Sequence, residues 1–288
     1  MSKSILTIIG IFTCIFLVAQ EVKDTSLIKK TKPAIDSVTQ KQSSGFKFST
    51  SYLTNSVYNG RQDSLVTPYL TPSLGYYDAS GFYAEASLSY LASSQSRIDL
   101  VTIEAGYDFS LSKRLTGEVY GSKLFYNKNS TAVMSQIQAI TGGSLSYDAG
   151  FLSFSVGSDI AFSKATDVLA NYGVSHPFLL GSDSSLWTIE PSFKSNFGSQ
   201  NFYDQQKKAK KKGVGTTIVT SGSTSFVVLD YEFSLPVSYD GKTWGFSFTP
   251  TYAIPQNPIS LSKPNGTVVL KEKLSNVFYA EFSVYFKF

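Results

Sequence analysis

The last twelve residues read Val277-Phe278-Tyr279-Ala280-Glu281-Phe282-Ser283-Val284-Tyr285-Phe286-Lys287-Phe288. Phe278, Ala280, Phe282, Val284, Phe286 and Phe288 share one parity. Tyr279, Glu281, Ser283, Tyr285 and Lys287 share the other. A strand turns successive side chains to opposite faces, so this stretch predicts a strand with one apolar and one polar face.

The same alternation recurs upstream. Phe82, Ala84, Ala86, Leu88 and Tyr90 oppose Tyr83, Glu85, Ser87 and Ser89. Val101, Ile103, Ala105, Tyr107 and Phe109 oppose Thr102, Glu104, Gly106 and Asp108. Trp187, Ile189, Pro191 and Phe193, and later Trp244, Phe246, Phe248, Pro250 and Tyr252, repeat it. Twelve such segments follow one another, at about 45–56, 66–77, 81–92, 98–110, 114–127, 136–147, 151–163, 167–179, 185–198, 223–239, 243–255 and 275–288. Their length suits tilted membrane strands. Tight connections rich in Gly, Asp and Ser, such as Asp78-Ala79-Ser80-Gly81 and Asp240-Gly241-Lys242, alternate with longer ones, the longest being 199–222 and 256–274. The pattern predicts an all-β chain: a transmembrane antiparallel up-and-down β-barrel of about twelve strands, covering 45–288.

Composition agrees. Of 288 residues, 42% are hydrophobic and 15% aromatic, yet only 16% are charged and the mean hydropathy is −0.03. A soluble sandwich also alternates, but its outward parity normally carries more Lys and Glu than the usual quarter of charged residues allows to be missing here. Aromatics also crowd the segment ends, as in Tyr76-Tyr77, Phe125-Tyr126 and Phe202-Tyr203, where interfacial girdles sit. The net charge of +4 owes much to one short run, Lys207, Lys208, Lys210, Lys211 and Lys212. The rest is about neutral, which excludes a nucleic-acid partner.

Lys3 followed by the apolar run Ile5–Ala19 predicts a signal peptide over 1–20. Its removal takes Cys14, the only cysteine. Phe12 and Thr13 are a poor lipidation context, because a small residue belongs ahead of the cysteine. Residues 21–44 are polar and aperiodic and predict a flexible periplasmic lead-in. With an even strand count, both termini fall on the periplasmic side of a bacterial outer membrane.

The terminal twelve residues resemble the C-terminal insertion signal of bacterial outer-membrane barrels, with Phe282, Tyr285, Phe286 and Phe288 in its aromatic pattern. The resemblance implies recognition by the outer-membrane assembly machinery and contact with outer-membrane lipids and lipopolysaccharide. Tyr231-Glu232-Phe233-Ser234-Leu235-Pro236-Val237-Ser238-Tyr239 and Thr249-Pro250-Thr251-Tyr252-Ala253-Ile254-Pro255 resemble barrels of the Bacteroidota, a likeness that carries no activity with it.

With the apolar parity on lipid, the lumen receives Glu85, Glu104, Asp108, Glu118, Asp159, Glu190, Asp230, Glu232 and Glu281, against Lys47, Lys194 and Lys287. Glu85, Glu104, Glu118, Glu190, Glu232 and Glu281 lie near periplasmic turns and form a candidate acidic belt. Two readings stand. The belt is the selectivity element of a passive, porin-like channel for small solutes. Alternatively Tyr69, Tyr83, Tyr120, Tyr279 and Tyr285 plug the bore, pair with the acids, and leave an anchor displaying loops. A third reading, an outer-membrane lipid-modifying enzyme, needs a base beside a nucleophile. The only histidine, His176, points away from its neighbour Ser175, so no enzyme is expected. The lysine run is a loop tip that either stays solvated or meets a polyanion such as lipopolysaccharide. No histidine–cysteine cluster and no phosphate-cradling glycine loop occur, so no cofactor is expected.

Overall fold

The computed structural model describes residues 44–62, 65–93, 96–182, 185–203, 219–221, 225–262 and 268–288. The expected signal peptide with Cys14, the lead-in up to residue 43 and the run from Lys207 to Lys212 lie outside the described residues.

Twelve strands build the wall. They are β1 (Gly45–Leu53), β2 (Tyr69–Tyr77), β3 (Phe82–Leu91), β4 (Arg97–Ser110), β5 (Leu115–Tyr126), β6 (Ala139–Asp148) and β7 (Ser153–Phe162). Three two-part strands follow: β8 (Asp167–Ser175 and Phe178–Ser182), β9 (Ser185–Ile189 and Ser192–Gly198) and β10 (Val227–Ser234 and Val237–Gly241). β11 (Trp244–Pro255) and β12 (Val277–Lys287) complete the set. Each strand pairs antiparallel with the next, and β12 pairs with both β11 and β1. The wall therefore closes as a twelve-stranded antiparallel barrel without a free edge around its girth. Each expected segment holds one strand, with ends that differ by a few residues.

The seam sets Lys47 opposite Lys287 and Phe48 opposite Phe286. It is extended by the Phe288 amide, which donates to the Phe46 carbonyl at 2.9 Å. Short turns gather at the end that also holds Ser44 and Phe288; this is the turn end, and the opposite mouth is the loop end. One turn shows why glycine is needed: Gly81 has φ +104°, and a Cβ there would stand 2.0 Å from the Asp108 carbonyl oxygen.

The breaks in β8, β9 and β10 fall at His176-Pro177, Glu190-Pro191 and Leu235-Pro236. Proline has no N–H to give the ladder. The residue before each one donates instead to a proline carbonyl on the following strand. His176 bonds Pro191 at 3.2 Å, Glu190 bonds Pro236 at 2.9 Å, and Leu235 bonds Pro250 at 3.1 Å. Face alternation survives each break: Trp187 and Phe233 face out, Glu190 and Glu232 in.

The outer face is apolar. Phe46, Leu74, Ile103, Val119, Phe233 and Phe282 are all exposed. Near the turn end Trp187, Tyr239 and Trp244 form an outer aromatic cluster, with ring centroids 5.2 Å apart for Trp187–Tyr239 and 5.0 Å for Tyr239–Trp244. An apolar surface of this extent is untenable in water and natural against acyl chains.

Candidate functional site

The inner wall holds Glu85, Glu104, Glu118, Asp159, Glu190, Asp230, Glu232 and Glu281, most of them in small hydrogen-bonded groups. Glu85 lies opposite Glu104 on the neighbouring strand. Glu85 accepts from Tyr77 at 2.6 Å. Glu104 accepts from Ser122 at 2.5 Å. The Tyr83 hydroxyl lies 3.1 Å from Glu104 and 2.5 Å from Glu118, so one buried phenol joins those two acids. Further round the wall Tyr120 donates to Asp159 at 2.7 Å, and Asn196 donates to Asp230 at 2.6 Å. Lys194 holds Glu232 at 2.5 Å, and Tyr279 reaches the same carboxylate at 3.1 Å. Glu190 accepts from Ser175 at 2.7 Å.

Glu281 stands apart, opposite Thr249 and Leu53, and its Oε1 has no hydrogen-bond partner among the described residues. The structure thus brings Glu104 and Glu118 together on Tyr83 and sets Glu85 next to them. Glu190, Glu232 and Glu281 occupy separate places on the wall. Among the described residues, no cluster of three or more acids, histidines or cysteines could hold a metal ion.

The two halves of the bore differ. Toward the turn end the inward residues Lys47, Glu85, Ser155, Gly157 and Thr249 are half-buried, while Ser146, Ser153, Glu190 and Tyr285 are buried. Toward the loop end Leu53, Leu91, Leu100, Leu124, Leu169 and Leu229 are buried, although they line the inside of a barrel. What covers them is loop.

Residues 57–62 of the β1–β2 connection form a miniature hairpin, Val57–Tyr58 against Arg61–Gln62. Its turn is Asn59-Gly60, with φ +47° and +72°, the left-handed pair that Asn-Gly favours. The hairpin folds inward. Tyr58 packs into one apolar cluster with Leu100, Leu124, Val133, Met134, Phe202, Leu229 and Ile259. That cluster joins wall residues to four different loop-end connections. Tyr58 meets Phe202 edge-on at 4.9 Å.

Arg61 secures this arrangement and is only 1% exposed. Its Nη1 donates to the carbonyls of Asn59 at 3.1 Å and Leu229 at 2.6 Å. Its Nη2 donates to Gln200 Oε1 at 2.5 Å and to the carbonyls of Gln256 at 2.6 Å and Asn257 at 3.0 Å. Glu272 lies 3.7 Å from its Nε. One guanidinium therefore ties the hairpin to the β9–β10 and β11–β12 connections, as its planar five-donor fork permits. Burial lowers its pKa from the usual value, and Glu272, Tyr203 and Asp230 oppose that shift.

Two buried carboxylates pin other loops. Asp99 accepts from Tyr69 at 2.5 Å, Ser130 at 2.6 Å and Arg97 at 2.7 Å. Asp167 accepts from Ser199 and from the amides of Asn201 at 2.8 Å and Phe202 at 2.7 Å. The molecule is a twelve-stranded transmembrane β-barrel with loop side chains packed inside one mouth.

No protein-family model matches the chain, and no curated protein matches it. Among solved structures it is similar to the KdgM porin, with TM-score 0.47 and 11% identity over 84% of this chain and 99% of that one. It is similar to the NanC porin, with TM-score 0.44 and 12% identity over 84% of this chain and 100% of that one. It is also similar to LpxR from Salmonella typhimurium, with TM-score 0.47 and 9% identity over 84% of this chain and 100% of that one.

His176 lies between the rings of Phe151 and Phe178, and its Nδ1 contacts the Phe151 carbonyl. Ser175 turns inward to Glu190. The two side chains face opposite sides of the wall and form no nucleophile–base pair. The hairpin 57–62 and Arg61 were not among the candidates from sequence. The Asn59-Gly60 dipeptide was the available sign of a hairpin.

Proposed function

We propose that this chain is an outer-membrane barrel of a Gram-negative bacterium that stands closed at rest, a membrane anchor bearing a platform of packed loops. The observation that carries this reading is the apolar cluster at the loop end, with the buried Arg61 beside Tyr203 of that cluster. A porin-like channel keeps its bore wet. Here inward leucines are sealed under loop side chains instead, and most of the proposed belt is occupied by tyrosine, serine and lysine partners.

The membrane side of the reading rests on the apolar exterior and on the terminal strand. Phe282, Tyr285, Phe286 and Phe288 serve as the address read by the assembly machinery. Lipids and lipopolysaccharide are the solvent of the outer belt. The turn end, which carries both strand termini, faces the periplasm, and the packed loops face out. The arrangement of Ser175 and His176 supports no catalytic role.

Liposome swelling tests the closed state. Vesicles carrying the refolded mature chain should swell in arabinose no faster than protein-free vesicles. Swelling at the rate given by an open porin would overturn the reading.

A further inference from the structure

We propose that the outer wall carries a docking site for a phosphorylated glycolipid of the outer leaflet, with Lys123 as the cation that receives a lipid phosphate. The inference rests on the outer-membrane reading above, with the loop end facing out, and adds a lipid that the wall selects.

Lys123 stands on the lipid side of β5. Its neighbours turn inward, Ser122 to Glu104 and Leu124 into the loop-end cluster. A strand alternates its faces, so Lys123 projects outward, and it is exposed. Among the described residues it is the one Lys, Arg, Asp or Glu on the outward parity of the wall strands. Opposite it lie Ile103 on β4 and Ala139 on β6. The Phe125 ring centroid is 5.8 Å from its Nζ, and among the described residues no carboxylate pairs with it.

Its height suits a headgroup. An ammonium on the lipid face is costly at the midplane and tolerated near an interface. Lys123 lies three residues before Tyr126, where β5 ends. In a strand tilted by about 40° that is about 8 Å of height. A lysine stem can carry its charge toward the interface over such a distance.

The rim above it is basic. The connections 92–96, 127–138 and 163–166 contain no acid, and they carry Lys128 and Lys164, both exposed. The acids at the neighbouring strand ends, Asp99 and Asp167, are buried and engaged by loop donors. Lys128 follows β5 and Lys164 follows β7, two strand spacings apart, about 10 Å. Three lysines without an exposed acid between them complement a headgroup that bears more than one phosphate.

Below Lys123 the wall is shallow. Gly121 lies opposite Thr141, and Gly143 opposite Ser158. A Cβ at Gly121 would meet nothing within 4 Å. Ile103, Val119 and Ile160 stand exposed around these small residues. The dip accepts the acyl chains of a lipid whose phosphate sits at Lys123, so a free phosphate would use only part of the site.

Native mass spectrometry of the refolded mature chain in neutral detergent provides the test. The probes are diphosphoryl lipid A, its phosphate-free form, phosphatidylglycerol and inorganic phosphate. The wild type should retain one lipid A at concentrations where the phosphate-free form and phosphatidylglycerol do not bind. Lys123→Gln should weaken lipid A binding by about tenfold, as the loss of one charge-assisted contact implies. Lys123→Arg should bind as the wild type does, and so should Lys242→Gln, which removes a lysine at the turn end. Should Lys123→Gln fail to fold, Lys128→Gln with Lys164→Gln, both outside the wall, should still weaken binding. Equal affinity across the folded variants would overturn the proposal, as would equal binding of the phosphate-free form. Phosphatidylglycerol binding as tightly as lipid A, or displacement of lipid A by inorganic phosphate, would also overturn it. A folded barrel that is silent in bilayers but shows no lipid preference would remove this site alone. A conducting wild type would remove the closed state and leave the lipid site standing.

Discussion

Gly60, at the tip of the inward hairpin, rests against Asp230 of the barrel wall: a Cβ built on Gly60 would stand 2.7 Å from the Cβ of Asp230. No side chain fits there without moving one of the two, and Gly60 also holds φ +72°, which L-residues adopt at a cost of about 1–2 kcal/mol. The contact places the hairpin tip against Asp230 and Pro255 of the barrel wall.

Gly60→Ala should loosen the tip while sparing the wall. Limited proteolysis should cut the β1–β2 connection several times faster than in the wild type. The far-UV spectrum and the heat-modifiable mobility of the barrel should not change. Equal cleavage rates would show that the tip is not held by this contact.

Asp99→Ala removes the acceptor of Tyr69, Ser130 and Arg97 at the loop end. Stranding buried donors costs about 1–3 kcal/mol, more when one is charged. The temperature at which the barrel loses its folded mobility on gels should fall, and Asp99→Asn should recover only part of the loss. An unchanged transition would mean that the network stabilises nothing.

The turn-end Asp78 accepts from the Ser80 amide at 2.9 Å, from Ser44 at 2.8 Å and from Tyr76 at 3.3 Å. The bonds from Ser80, followed by that from Ser44, hold its pKa well below the ordinary carboxylate range. A carboxyl with a depressed folded-state pKa adds stability that is present above its unfolded pKa of about 3.9 and lost as pH falls through the folded value. The carboxyl carbon resonance of Asp78 should therefore keep its ionised position at pH 4. A midpoint near the unfolded value would contradict the turn geometry.

Deletion of Phe288 takes away an amide bonded to Phe46 and the aromatic end of the proposed insertion signal. Refolding into detergent micelles should proceed nearly as in the wild type, because the rest of the β1–β12 ladder remains. Insertion in cells should drop sharply. Equal defects in both settings would make Phe288 a packing residue and not an address.

Much of the wall was legible before any coordinates. Period-two alternation with a lipid face on one side is written into every strand, so the twelve segments and the inward orientation of Glu104 or Lys194 could be read from parity alone. Parity is silent about height and neighbours. Strand register decides that Glu232 lies directly opposite Lys194 and Tyr83 opposite Gly106, which lets the Tyr83 hydroxyl reach both Glu104 and Glu118. The loop-end core was not legible, since Val133, Met134 and Phe202 are isolated apolar residues in polar connections. Only long-range contact turns them inward. Arg61 reads in sequence as an ordinary loop cation, and its burial depends on carbonyls contributed by residues far along the chain.

The closed state of the wild-type barrel is most directly tested by its own electrical record. The mature chain, refolded and inserted into a planar bilayer at either polarity, should show no conductance above the bare membrane. A steady ohmic current from the unaltered protein would contradict the closure of the loop end by Arg61 and its hairpin.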